Sequence, residues 1–147
     1  MYQRILVPVD GSETSRTALK EAIKLAQLFN ARLKLVHVVE NSRVFDAEGM
    51  VDYPAMRDIA TKGGEQILSR AKEMAQQAGI AAETELLEPG VDRNENVIVA
   101  EAKQWLAELV VIGTHGRSGI SRLLFGSVAE GVVRGSTMPV LLIRGDH

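Results

Sequence analysis

Cysteine is absent from this chain of 147 residues. That excludes disulfides, thiolate metal sites and cysteine nucleophiles, although it does not assign a compartment, since many cytosolic proteins also lack cysteine. No stretch approaches the roughly 18 continuous apolar residues that cross a bilayer, so direct membrane insertion is not expected. The opening MYQRILVPVD runs straight into a strand pattern without a basic segment and a longer hydrophobic one. No secretory signal is read from it, and a cytoplasmic location is expected. Positive charge is not in excess either: the formal net charge is −2, which argues against the phosphate-neutralising surface of a DNA or RNA binder. Internal repeats and low-complexity tracts are also missing.

What remains is the composition of an ordinary folded domain, with 46% hydrophobic and 24% charged residues. The length fits one domain, residues 1–147, around a single core. Gln3 to Val9 reads as a strand, with Pro8 near its end because proline cannot donate to a ladder. Asp10, Gly11 and Ser12 supply turn chemistry. Ala18, Leu19, Ala22, Ile23 and Ala26 then recur on one face of a helix expected over Ser12 to Phe29. Arg32 to Val39 becomes apolar throughout, as a strand covered on both faces should.

Glu40 to Tyr53 shows no period and reads as a loop. From Pro54 to Ala78 the positions Met56, Ile59, Ala60, Gly63, Ile67, Ala71, Met74 and Ala78 keep helical spacing, and Gly79 is expected to close that helix. Gly63 and Gly64 inside it each cost roughly 1 kcal/mol relative to alanine, which points to close packing. Ala81 to Leu87 is a weak strand. Asp92 and Glu95 have capping-box spacing ahead of a helix reaching Trp105. Leu109 to Ile112 is a strand, Ser127 to Arg134 a helix, and Met138 to Ile143 a last strand. Strands alternating with helices imply an α/β fold with a doubly wound parallel sheet, which binds ligands at the carboxyl ends of its strands.

The most informative segment is GTHGRSGISRLLFGS, from Gly113 to Ser127. Glycines permit positive φ and close backbone approach, so successive N–H groups can face one anion, and a helix starting near Ser127 adds its unpaired N–H groups. Nucleotide binding is the leading expectation. Arg117 and Arg122 could offset phosphate charge, Arg117 being favoured because it lies between glycines. Ser127 is expected to cap the last helix with or without ligand. His115 has no evident carboxylate partner, so a solvent-facing or phosphate-contacting role is preferred to general-base catalysis. His37 reads as a packed or hydrogen-bonded histidine. The three histidines lack metal-ligand spacing, and Trp105 and the methionines read as core or interface.

These residues resemble the universal stress protein family, in its ATP-binding branch. The family's signature of glycine, two residues, glycine, nine residues, then glycine and serine or threonine is met by Gly113, Gly116, Gly126 and Ser127. The likeness extends to ILVPVDGS, to LVHVV and to SVAEGVVRGSTMPVLLIR, nearly the whole chain. It implies a single Rossmann-like five-stranded sheet in the order 3-2-1-4-5. It also implies ATP at the carboxyl edge, with Mg²⁺ or Mn²⁺ carried on its phosphates and not on protein side chains. Pro8, Val9 and Val38 would hold adenine, and Asp10 would accept from the ribose hydroxyls. Gly113, Thr114, His115, Gly116, Arg117, Ser118 and Gly119, with Gly126, Ser127, Val128 and Ala129, would hold the phosphates. Glu108 stands where the family often has aspartate, and is expected at the far end of its strand from the nucleotide.

The resemblance implies a regulatory, stress-response module without catalytic residues. By the same resemblance it would form a homodimer or higher oligomer through the last strand and act on an unidentified protein partner, a membrane transporter being one class. Two alternatives stay open. One is a slow ATPase or autophosphorylating enzyme using Ser118, Ser121 or Ser127, disfavoured because the loop lacks a Walker lysine. The other is a dimeric interaction module that takes no nucleotide. A response-regulator phosphoacceptor is excluded because Asp10 has no neighbouring acid and the third strand ends without an aspartate.

Overall fold

The structure, a computed structural model, describes residues 2–39, 45–46, 49–50, 53–114 and 126–145. Five strands alternate with four helices: β1 (Arg4–Pro8), α1 (Glu13–Phe29), β2 (Arg32–Val38), α2 (Tyr53–Gln77), β3 (Ala82–Leu87), α3 (Asn94–Trp105), β4 (Leu109–Gly113), α4 (Ser127–Gly135) and β5 (Val140–Ile143). All pairings among the five strands are parallel, in the order 3-2-1-4-5. Between β2 and α2, where a loop is expected, Phe45–Asp46 and Gly49–Met50 pair as a short antiparallel ribbon.

Side chains alternate across each strand, so consecutive residues enter different layers. Ile5, Val7, Leu33, Leu35, Leu109 and Val111 pack with α1 and α2, while Leu6, Val36, Val110 and Ile112 pack with α3 and α4. Burial on both faces is why β1, β2 and β4 read as nearly continuous apolar runs. Glu108 lies at the amino-terminal end of β4, as expected. Its Oε1 accepts from the N–H groups of Gln3 (2.7 Å) and Arg4 (3.1 Å), tying the start of β1 to β4.

The helix ends correct three expectations. Ser12 caps α1 rather than belonging to it, accepting from Ser15 N at 3.1 Å. Asp92 and Glu95 form no capping box, because Arg93 occupies the N-cap position with extended backbone. Asp92 thus lies one residue too early, and its Oδ1 accepts from Arg93 N and Asn96 Nδ2, both at 2.8 Å. Ser127 does not cap α4: Gly126 holds that position at φ −68°, and its carbonyl accepts from Glu130 N at 2.9 Å. Gly79 does close α2, at φ +75° with Ile80 N bonded to Ala75 O.

The two mid-helix glycines separate. A Cβ at Gly64 would stand 2.7 Å from both His37 Cδ2 and Leu86 Cδ2, whereas one at Gly63 would meet nothing within 4 Å. Gly64 lets α2 lie directly on β2 and β3; Gly63 serves no such contact. On the opposite face lies an ion cluster that periodicity does not disclose. Lys34, in β2, is almost fully buried and reaches Glu101 of α3 at 2.6 Å and Glu85 of β3 at 2.9 Å. Burial alone would depress the Lys34 ammonium, but the hydrogen bonds and negative charges of Glu101 and Glu85 outweigh it and raise the group above its ordinary value.

Candidate functional site

The carboxyl ends of β1, β2 and β4 border one cleft of about 250 Å³. The sheet order requires this: β1 and β4 are neighbours whose connections leave to opposite faces, so the chain parts between them. Pro8, Val9 and Asp10 follow from β1, Val38 from β2, Gly113 and Thr114 from β4, and Gly126, Ser127, Val128 and Ala129 from the start of α4. All ten line the cleft. The other five residues expected there, His115, Gly116, Arg117, Ser118 and Gly119, lie outside the described residues.

Asp10 is fixed by the turn it occupies. Its N–H donates to Ser15 Oγ at 3.1 Å, and its Oδ1 accepts from Ser12 N at 2.9 Å. Gly11 completes the turn at φ +84°, a conformation that glycine adopts without the penalty other residues meet. Asp10 Oδ2 has no partner among the described residues. The carboxylate therefore keeps acceptor capacity for hydroxyl donors of a ligand.

Gly113 has a steric reason for being glycine besides its place in the cleft lining. Its φ is not positive, and a Cβ there would come within 2.7 Å of Thr14 Cγ2 and 3.1 Å of the Thr14 backbone. The first turn of α1 crossing β4 leaves no room for a side chain at this position. Thr114 follows, its N–H donating to Ile143 O at 2.9 Å and its carbonyl accepting from Gly126 N. That last bond joins the two described ends of the glycine-rich segment. Thr114 is 2% exposed, and its Oγ1 has no hydrogen-bond partner among the described residues.

Two helices present their amino termini to the same space. Asn94 and Ile98 bring α3 to the cleft, and Gly126 to Ala129 bring α4. Neither helix has a side-chain cap bond. Their first N–H groups and dipole ends, each equivalent to roughly half a positive charge, make this an anion-receptive wall. Pro8, Val9, Val36 and Val38 add apolar residues to the same lining.

Ser12, Ser15, Val36, His37, Asn94, Ile98 and Ile112 also line the cleft. Sequence reading did not assign them there. Ser12, Ser15 and Ile112 could have been found, since each is adjacent to or within a turn of an assigned residue. Asn94 and Ile98 carry no local signal, because only the packing of α3 against α4 brings them in. His37 is packed and hydrogen-bonded as expected, 8% exposed with Nδ1 2.8 Å from Val9 O.

The Universal stress protein family matches residues 1–144. A universal stress protein of Methanocaldococcus jannaschii, MJ0531, is 37% identical over 144 residues, spanning 98% of this chain and 83% of that one. Protein MJ0577, solved to assign its biochemical function from structure, shares the fold with a TM-score of 0.86 at 24% identity, over 100% of this chain and 99% of that one. A universal stress protein solved in complex with cAMP is 28% identical with a TM-score of 0.73, covering 99% of each chain. That of Archaeoglobus fulgidus, solved in complex with dAMP, is 27% identical with a TM-score of 0.69, over 97% of this chain and 98% of its own. Sheet order, cleft and sequence thus agree: this chain belongs to the universal stress protein family.

Proposed function

We propose that the chain is an ATP-binding regulatory module whose ligand occupies the cleft at the β1–β4 divide. The observation that carries this reading is the convergence of ten residues assigned from the motif and the resemblance on one cleft, with two helix termini free of side-chain caps. Related proteins solved with cAMP and dAMP support an adenine nucleotide as the ligand class. ATP in particular is favoured by the length of the glycine-rich segment and the second helix terminus, which offer more donors than one phosphate uses. In this reading adenine lies along Pro8, Val9 and Val38, Asp10 accepts from the ribose, and Gly126 to Ala129 receive phosphate oxygens. Mg²⁺ comes with the phosphates.

The module acts by binding and not by turnover. The segment after Gly113 has no Walker lysine, and no described carboxylate of the cleft other than Asp10 is placed to orient water. Bound nucleotide stabilises the folded state by mass action and fixes one arrangement for a partner protein to recognise. We assign self-association to β5, at the edge of the sheet, where Leu141 is 38% exposed.

Denaturing the purified protein and identifying the released small molecules tests the ligand, and calorimetric titration with Mg·ATP tests the site. Asp10→Ala is expected to weaken binding about 10- to 100-fold, as loss of charged hydrogen bonds does. Gly126→Val, whose extended backbone accommodates valine, should block the phosphate end while the far-ultraviolet spectrum stays native. Undiminished ATP affinity in both variants contradicts the site.

A further inference from the structure

Among the described residues, His37 is the one ionisable group of the cleft that the proposed ligand contacts leave without a role. It lies in β2 between Val36 and Val38, which face the α3 and α4 layer, so its ring enters the α2 layer. In the β1–β2 register Val36 stands opposite Pro8, which sets His37 beside Val9, where β1 leaves the sheet. A carbonyl only accepts, so the 2.8 Å contact makes His37 Nδ1 the donor to Val9 O and fixes the proton on that nitrogen. On its other side the ring is held by the α2 backbone: a Cβ at Gly64 would come within 2.7 Å of His37 Cδ2 and 3.3 Å of Nε2.

We propose that His37 is a positioning residue for nucleotide recognition: it holds the Val9 carbonyl, and so the Val9–Asp10 peptide, in the orientation that presents the Asp10 carboxylate to the ribose. The Asp10 carboxylate accepts from Ser12 N, and the N–H of the Val9–Asp10 peptide donates to Ser15 Oγ. The carbonyl of that same peptide is held by the imidazole, so the peptide is fixed at both of its polar ends and His37 supplies one of the two holds. Rotation of that peptide would swing the Asp10 side chain without breaking the sheet. Because the ring also bears on Gly64, the seating of α2 on the sheet is felt at Asp10, and a partner that shifts α2 would alter ribose recognition. This inference rests on the nucleotide reading of the cleft.

The experiment compares Mg·ATP with Mg·2′-deoxyATP by calorimetry, because removing one ribose hydroxyl isolates the interaction that Asp10 makes. Wild type should prefer ATP. His37→Leu, which keeps the bulk but removes the donor, should weaken ATP by about three- to tenfold and lose most of its preference over the deoxy form. His37→Asn, whose amide can donate from nearly the same place, should restore both. Gly64→Ala, with His37 intact but its ring pushed, should reduce the preference in the same direction, and decides the matter if His37→Leu does not fold. A merely structural role would weaken both nucleotides equally, and that result overturns the inference. So does equal loss of the preference in the Asn and Leu variants, or its full retention in His37→Leu and Gly64→Ala. Wild type that binds neither nucleotide overturns the nucleotide reading itself, and this inference with it.

Discussion

Lys34 and Glu101 show how much one residue pair can decide without leaving a local trace. Their side chains are 8% and 10% exposed and meet at 2.6 Å, so removing Lys34 strands the Glu101 charge away from water, whereas removing Glu101 leaves Lys34 with Glu85 at 2.9 Å. Lys34→Met is expected to destabilise the fold by about 3–5 kcal/mol, measured by urea denaturation. Adding Glu101→Gln to it should recover part of that loss. Because the folded Lys34 titrates above its ordinary value of 10.5, its contribution is fully present below that pH and is lost as the pH rises through the folded value. Wild type should therefore lose stability on the alkaline side more steeply than Lys34→Met. Glycines, the Asp10 turn and the apolar stripes were legible in the sequence because each acts through its own backbone or its immediate neighbours. Lys34 and Glu101 are separated by 67 positions, and no spacing rule connects them. The bond from His37 to Val9, and the contact of Gly113 with Thr14, were hidden for the same reason.

Elements were legible wherever a period and a terminator agreed. α1 and α2 carry apolar stripes, and Asn30 and Gly79 end them in the left-handed region, so their extents differ from expectation by a residue or two. α3 was misplaced at its start because a capping box and a residue just before an N-cap look alike when Asp and Glu are three apart; Arg93 takes the cap. Helical spacing puts Gly63 in the apolar stripe, but it is Gly64 that faces the sheet, since which of two neighbours does so depends on how α2 is rotated. The structure separates them, and so should mutation. Gly63→Ala is expected to stabilise by about 0.5–1 kcal/mol through helix propensity. Gly64→Ala should destabilise by about 1–3 kcal/mol through overpacking against His37 and Leu86. Thermal melts of the two variants should move in opposite directions.

At the scale of the whole molecule, alternation of strands and helices already required a parallel sheet, but the order 3-2-1-4-5 came from family resemblance, because hydrophobic periodicity does not say which strand adjoins which. That order matters for two reasons. It leaves β5 at an edge, where we expect Leu141→Lys to shift a self-associated protein toward monomer in sedimentation velocity by placing charge on the proposed contact. It also makes β1 and β4 neighbours, which opens the cleft and aims the termini of α3 and α4 into it.

Whether that cleft is the nucleotide site is tested most directly by titrating Mg·ATP into isotope-labelled protein and following the backbone amides. Val9, Val38, Thr114 and Gly126 to Ala129 are expected to shift along one saturable curve, while Leu28 and Leu106, exposed at the carboxyl ends of α1 and α3 on the opposite edge of the sheet, stay in place. Unmoved cleft amides at saturating ATP, or saturable shifts confined to another face of the molecule, would contradict the assignment.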